Sequence, residues 1–336
     1  MNIYAKLLLA VIVGFVVCLI ISPLIIGLIK KEKVKQVILH YVENHQTKAG
    51  TPTMGGIIFI IAICLVPFIF FESSAFTLSA MVLLVFLGYC IVGFIDDFIK
   101  FKFKRNLGLK AYQKIIFQLA ISIVISIFAY KNALIGSTII LPFSGKVLDF
   151  GIWIIPLNVL VFLATTNSVN LTDGLDCLAT GTSISYLLGF GALLLVLSGS
   201  VFAGLSDIFF TELYNLQIVI CVSIGALICY ALFNCYPAKI FMGDTGSLGL
   251  GALIGSLAVV TKTTLYLPIL GIMFVLSTVS VILQVSYYKL TKKRIFLMAP
   301  LHHHFEKKGI HEVRIAVCYT VVTLLVGVAV LLLEIL

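Results

Sequence analysis

Apolar runs of about 20 residues recur along this whole chain, and that is the length a helix needs to cross the hydrocarbon core of a bilayer. No other feature limits the fold as tightly. In lipid no water is available to satisfy backbone N–H and C=O groups, so the segments must satisfy them internally, as helices. The 336 residues are 61% hydrophobic and only 11% charged, against about 25% charged in a soluble domain. The expected fold is an all-α polytopic integral membrane protein, a single transmembrane domain over 1–336. The helical amphipathic pattern is weak, as it is where a helix faces lipid.

Ten transmembrane helices are expected, at 5–29, 54–71, 75–95, 111–130, 152–170, 178–198, 216–235, 246–261, 264–289 and 315–335. The eighth is short, and the ninth is long and contains Pro268. The run Leu7 to Ile29 is too long for the apolar core of a signal peptide, and a basic cluster follows it, so it reads as the first span. Residues 137–150 alternate apolar and polar around Ser144-Gly145, which predicts a small extracytoplasmic β-hairpin. Residues 199–215 predict a short interfacial helix. The eight cysteines fall almost entirely in apolar runs without a CxxC spacing, and they read as small buried hydrophobes.

Orientation follows from lysine and arginine. Of the 23, nineteen lie in the connections after spans 1, 3, 7 and 9, and the connection after span 5 has none. The positive-inside rule puts that side in the cytoplasm and both termini outside. The net charge of +9 is then topological, and no nucleic acid partner is expected.

Three short polar islands interrupt the apolar background: Asp96-Asp97, Asn167 to Asp176 (NSVNLTDGLD) and Phe241 to Ser247 (FMGDTGS). They hold five of the seven aspartates. Charge within membrane segments is costly and marks function by default. By span parity all three islands, with the run His302-His303-His304, fall on the cytoplasmic face.

Asp96-Asp97 are expected to close an apolar helix, where the macrodipole disfavours an anion by roughly 0.3–1 kcal/mol. The pair needs a metal or basic neighbours; the ordinary alternative is a solvated pair neutralised by Lys100 and Lys102. Asp173 and Asp176 would share a face in a helical turn, and Gly174 would let backbone approach a ligand; the alternative is a polar turn. Asp244 is expected near the start of span 8, where anions including phosphate are favoured, or as a simple cap. Neutral imidazoles of the histidine run bind transition metals, and their N–H groups donate to phosphate. Lys48 to Gly56 (KAGTPTMGG) would open span 2 as an anion site, or as a cap with tight packing. Together the parts fit phosphoryl transfer, with carboxylates holding Mg²⁺ and lysines or histidines steadying the leaving group. One Mg²⁺ takes one or two carboxylates, so the others bind substrate or act as base.

KAGTPTMGG, GFIDDFIK, NSVNLTDGLD, FMGDTGSLGLG and PLHHHFEKKG resemble, in this order and spacing, the phospho-N-acetylmuramoyl-pentapeptide transferase family. This is the muramoyl branch of the polyprenyl-phosphate N-acetylhexosamine-1-phosphate transferases, and PLHHHFE is the stretch that points to that branch. The resemblance covers essentially the whole chain. It implies ten spans, a homodimer in the bacterial inner (plasma) membrane, Mg²⁺ dependence and a cytoplasmic cleft. It implies transfer from UDP-N-acetylmuramoyl-pentapeptide to undecaprenyl phosphate, giving UMP and lipid I for peptidoglycan synthesis. Carried over by motif, Asp244 with Asp173 would ligate the metal. Asp96, Asp97, Asp244 and His303 would be catalytic, with Asp96 or Asp97 deprotonating or positioning the lipid phosphate. Gly174, Leu175, Asp176 and Phe241 would form the uridine pocket. Lys48, Thr53, Lys114, Asn167, Asn170, Asp173, Asn234, His302 and His304 would line the substrate cleft.

The chain departs from the family in two places. Cys177 follows Asp176 where the family reads glycine, and Gly309-Ile310-His311-Glu312 lacks the usual tryptophan. Within the superfamily the rival donor is UDP-N-acetylglucosamine, which the histidine run argues against. A secondary transporter would carry its ionisable residues near the midplane of broken, repeated helices, whereas here they gather at one face. Direct attack by the lipid phosphate is favoured over a covalent phospho-aspartate. The lipid tail needs an apolar groove between spans, with span 9 as one wall.

Overall fold

The computed structural model describes residues 2–31, 51–103 and 108–336. Lys48, Lys33, Lys35, Lys104 and Arg105 lie outside the described residues. Twelve α-helices and one two-stranded sheet are present among the described residues. Among the described residues, nine helices are long and apolar enough to span a membrane. They are α1 (Ile3–Lys31), α3 (Thr77–Phe103), α4 (Ala111–Lys131), α5 (Ile154–Thr172), α6 (Leu178–Ser198), α7 (Asp207–Asn234), α8 (Gly243–Val260), α10 (Ile272–Thr291) and α12 (Glu312–Ile335). The second expected span is shorter: α2 (Gly56–Leu65) runs into a 3-10 turn at Val66–Ile69. Pro67 in that turn has no N–H to continue an α-helix.

The ninth expected span is broken. A 3-10 turn (Thr264–Tyr266) and a single helical turn, α9 (Leu267–Leu270), precede Gly271, and α10 begins only at Ile272. Pro268 sits at the start of α9, where its missing N–H costs nothing.

Residues 199–215 do not form a separate interfacial helix. Turns lead to Ser206, whose hydroxyl accepts from Phe209 N, and α7 starts at Asp207. Two of the polar residues there, Glu212 and Asn215, are buried and cap the start of α3. Glu212 accepts from Leu78 N (3.1 Å) at the start of α3, and Asn215 donates to Ala75 O (2.7 Å). The anion faces α3's unsatisfied N-terminal amides, the favourable end of the dipole.

The hairpin forms as expected: Thr138–Ile140 (β1) pairs antiparallel with Val147–Asp149 (β2). Ile140 N donates to Lys262 O (2.8 Å), and Phe143 N donates to Glu334 (2.7 Å), which also takes the Tyr266 hydroxyl. These bonds tie the hairpin to the ends of α8 and α12. Two cysteines depart from the expected role: Cys177 and Cys235, 58 residues apart, form a disulfide.

α8 is the central helix. Its residues from Thr245 to Val260 are all buried, and it packs chiefly against α3 and α5. Glycines permit this closeness. A Cβ on Gly93 of α3 would collide with the Asp244 carbonyl oxygen, and one on Gly251 of α8 would lie 2.6 Å from Thr165 O of α5. α1 packs on α7, and α6 packs on α12. The packing that buries α8 therefore brings its first turn against the end of α3.

Candidate active site

Asp96 and Asp97 do not close their helix. α3 continues for two further turns to Phe103, so both carboxylates lie on a helical wall, only 2% and 3% exposed. The dipole penalty expected of a helix end does not govern them. Extending the helix places Lys100 three and four residues on, over both side chains. Its Nζ lies 2.6 Å from Asp96 Oδ2 and 3.6 Å from Asp97 Oδ1.

Asp244 stands in the first turn of α8, as expected, where orphan N–H groups favour an anion. It is not the cap; Met242 takes that position. Gly243 before it has φ +69°, a conformation that costs other residues about 1–2 kcal/mol. A Cβ there would also lie 2.5 Å from Asp97 Oδ2 and 2.9 Å from Thr53 Oγ1. Thr245 fastens the two helices: its N–H and hydroxyl both donate to Asp97 Oδ2, at 2.9 and 2.7 Å.

The three aspartates converge. One ligand oxygen from each of Asp96, Asp97 and Asp244 lies within 4.8 Å of the others. Asp244 Oδ2 accepts from Lys100 (2.7 Å) and Lys114 (2.8 Å), and Oδ1 accepts from Asn170 Nδ2 (2.5 Å). Asn170 also donates to Ser247 (2.8 Å). Asp96 Oδ1 accepts from Leu109 N (2.8 Å). A cluster of hard carboxylate oxygens beside two ammonium groups matches what Mg²⁺ and phosphate require together.

Asp173 is not in that trio. α5 ends at Thr172 and Asp173 caps it, so Asp173 and Asp176 do not share a helical face. Burial pushes the Asp173 carboxyl well above the usual carboxylate range, and the charges of Asp244, Asp97 and Asp176 add to this. Asp176 turns instead toward the segment before α8, accepting from Ala238 N (2.9 Å). Thr180 donates to Asn234 (2.7 Å), and Asn234 donates to Ile240 O (3.0 Å). Phe241 N donates to Pro52 O (2.9 Å). The expected uridine-pocket residues Asp176 and Phe241 and the expected cleft residue Asn234 are thus joined through one connection, 235–241, which the Cys177–Cys235 bond also holds. Cys177 has φ +62°, the left-handed conformation in which glycine is easiest. A cavity of about 220 Å³ beside this bond is lined by Asp176, Tyr236, Val313 and Thr320.

Leu175 packs into a small core with Leu178, Met273, Ile315 and Tyr319. Asn167 reaches Gln118 of α4 (2.8 Å), not the carboxylates. The histidine run forms α11 (Leu301–Lys307), with His302 fully buried. A Cβ on Gly174 would strike His302 Nε2 and lie 3.2 Å from His303 Nε2, so two histidines abut the Asp173-Gly174 turn. His303 Nδ1 pairs with Glu306 (2.9 Å), and His304 Nδ1 accepts from Leu297 N (3.1 Å).

Lys100 is the main residue that sequence reasoning left out of the site, having placed it only as a neutralising neighbour. Its spacing of three and four from the aspartates was the available signal. Thr245, Ser247 and Gln118 had no such signal, since each acts through a partner distant in sequence. A separate apolar groove of about 230 Å³ lies between α5 and the broken ninth span, with Leu160, Val161, Pro268, Phe274 and Val275 on its walls.

Residues 79–262, more than half of the chain, match the family described as Glycosyl transferase family 4. Residues 48–60 match phospho-N-acetylmuramoyl-pentapeptide-transferase signature 1. The chain is 43% identical over 317 residues to the phospho-N-acetylmuramoyl-pentapeptide-transferase of Clostridium novyi (strain NT), covering 94% of this chain and 93% of that protein. It is 42% identical over 321 residues to the enzyme of that name from Thermoanaerobacter sp. (strain X514), covering 95% and 96%. For that of Clostridioides difficile (strain 630) the identity is 38% over 316 residues, covering 94% of each.

Proposed function

Because the chain belongs to the phospho-N-acetylmuramoyl-pentapeptide transferase family of phosphoglycosyl transferases, we propose that it moves phospho-N-acetylmuramoyl-pentapeptide from its UDP-linked donor to undecaprenyl phosphate. The products are UMP and lipid I. The observation that carries this reading is the meeting of Asp96, Asp97 and Asp244 within 4.8 Å, flanked by Lys100 and Lys114.

An oxygen of the lipid phosphate attacks the donor's β-phosphorus directly. The bridge to the α-phosphorus breaks, and UMP leaves with the bridging oxygen. Asp244, with Asp96 or Asp97, would hold Mg²⁺, which supplies neutralisation of the charge on the reacting phosphates. Lys100 and Lys114, both paired with Asp244, are the cations among the described residues that would meet those phosphates. Asp97 keeps the first turn of α8 in place through Thr245, which leaves Asp96 to meet the acceptor phosphate. Asn170 orients Asp244. Asp173 is the protonatable neighbour of the cluster, with His302 and His303 behind it. Thr53 approaches from the segment before α2, beside Gly243, and the family resemblance alone assigns Lys48 to the cleft. Asp176, Asn234 and Phe241 frame the uridine, and the groove beside the broken ninth span takes the lipid tail.

The carboxylate end faces the cytoplasm and the hairpin faces outward, following the positive-inside asymmetry. The family resemblance extends to a homodimer in the plasma membrane.

The test is UMP release by purified protein given the muramoyl donor, undecaprenyl phosphate and Mg²⁺. Asp244→Asn, still folded by its thermal transition, is expected to lose on the order of 10²–10³-fold in kcat, the scale for removing one preorganised electrostatic group. Full activity in that variant overturns the assignment. UMP released in a burst without acceptor overturns direct attack.

A further inference from the structure

We propose that Gln284 and His304 form a latch that positions the other two histidines, and that His304 itself does not touch substrate. The observation begins on α10. Residues Ile282, Leu283 and Val285 to Leu290 are exposed, and Gln284 alone in that stretch is half-buried. Its amide makes three hydrogen bonds to one segment. Oε1 accepts from Ile295 N (3.0 Å) and Phe296 N (2.9 Å), and Nε2 donates to Phe296 O (3.1 Å). One side chain thus does for the irregular segment 292–300 what a neighbouring strand would do, satisfying both backbone groups of Phe296.

The clamped segment then grips α11. Leu297 N donates to His304 Nδ1 (3.1 Å), and the Phe296 ring meets the His304 ring edge-on at 5.6 Å. A ring nitrogen that accepts carries no proton, so His304 is held as its Nε2–H tautomer. His304 faces back to Phe296 and Leu297, while His302 and His303 face the opposite way, onto Gly174. In a helix of only seven residues, fixing one side chain fixes the roll of the whole element. The chain of cause runs from Gln284 through Phe296 and Leu297 to His304, and from there to His302 and His303.

Gln284 is therefore a positioning residue. This rests on the proposed function, with His303 as a catalytic residue and His302 as a cleft residue by family resemblance, but the latch has a readout that does not. Hydrogen exchange of the full-length protein over 295–305 should show slow amides at Ile295, Phe296 and Leu297. Gln284→Ala and His304→Ala should both speed exchange there. His304→Asn should keep Leu297 slow, because the asparagine Oδ1 stands as far along its side chain as Nδ1 does in histidine. Gln284→Glu retains the acceptor for the two amides and serves if Gln284→Ala does not fold; it should keep Ile295 and Phe296 slow.

In UMP release, Gln284→Ala and His304→Ala should each lose roughly 10–100-fold in kcat/KM, the usual cost of removing a group that orients a functional one from behind. The double variant should be no worse than either single, since both cut one chain of contacts. His304→Asn should keep most activity. The latch is overturned if the two losses multiply, if exchange at 295–297 is unchanged in Gln284→Ala, or if His304→Asn is as inactive as His304→Ala while Leu297 stays protected. That last pattern would place His304 Nε2 on substrate. A wild-type protein that does not turn over the muramoyl donor would overturn the function instead, and the exchange pattern alone would then decide the latch.

Discussion

Among the described residues, Lys100 carries more of the site's electrostatics than any other single cation. It reaches all three carboxylates, two of them buried, whereas Lys114 reaches Asp244 alone. Removing one partner of a buried charge cluster leaves the rest uncompensated, at a cost of about 3–5 kcal/mol. Lys100→Met should therefore lower the thermal transition in EDTA more than Lys114→Met does. Added Mg²⁺ should narrow the difference, because a divalent cation replaces the lost positive charge. Equal losses, or no response to Mg²⁺, would count against a shared metal and lysine site; scanning fluorimetry in detergent measures both.

Asp173 gives a pH dependence of known sign. Its folded-state pKa is raised by burial and by like charge. The folded protein therefore holds a proton that the unfolded chain releases, and stability is lost as pH climbs above the ordinary carboxylate range. Metal-free protein should show a falling transition temperature from acidic to neutral pH, and Asp173→Asn should flatten that slope. A steeper slope in the variant would refute the assignment. Cys177 offers a test of backbone conformation. In a Cys235→Ser background, where no cross-link remains, Cys177→Gly should raise stability by about 1 kcal/mol, since φ +62° suits glycine. The glycine that the family resemblance implies at this position would suit the same conformation. The departure was legible in the sequence; its partner, 58 residues away, was not, because pairing depends on how α6 and α7 meet.

Among the elements, α8 decides the site. Gly93 lets its first turn approach α3, and a methyl group there would strike the Asp244 carbonyl oxygen. Gly93→Ala should cost about 1–3 kcal/mol by overpacking and lose activity beyond what unfolding explains. Gly88→Ala, on the same helix, would place its Cβ 3.6 Å from the Ile121 side chain, an ordinary contact, and should be near neutral. Comparing kcat at a temperature where both variants are folded separates the two cases. Most element boundaries were readable from hydropathy. The failures have one cause: polar side chains that look like solvent-facing breaks are satisfied by distant partners. Glu212 and Asn215 appear to interrupt α7 until they are seen capping the start of α3. Asp96 and Asp97 appear to end α3 until Lys100, Thr245 and Leu109 are seen around them.

At the scale of the molecule, the carboxylate cluster and the histidine helix gather at one end, and the hairpin is tied to the turn after α8 and the last turns of α12. A cysteine introduced for Ser144 should react with a membrane-impermeant maleimide in intact cells, and one introduced for Lys293 should react only after the membrane is opened. The reverse pattern would invert the topology. The sequence by itself determined the membrane class, the succession of apolar segments, the family and the gathering of functional motifs on one side. Those depend on composition, run length and charge parity, which are properties of the chain read in one dimension. Only the tertiary structure decided that Asp96, Asp97 and Asp244 meet while Asp173 stands apart, that Lys100 bridges them, and that Gln284 holds the histidine helix. Such choices depend on which helices can approach closely enough to share hydrogen bonds, and close approach is set by glycines and partners far apart along the chain.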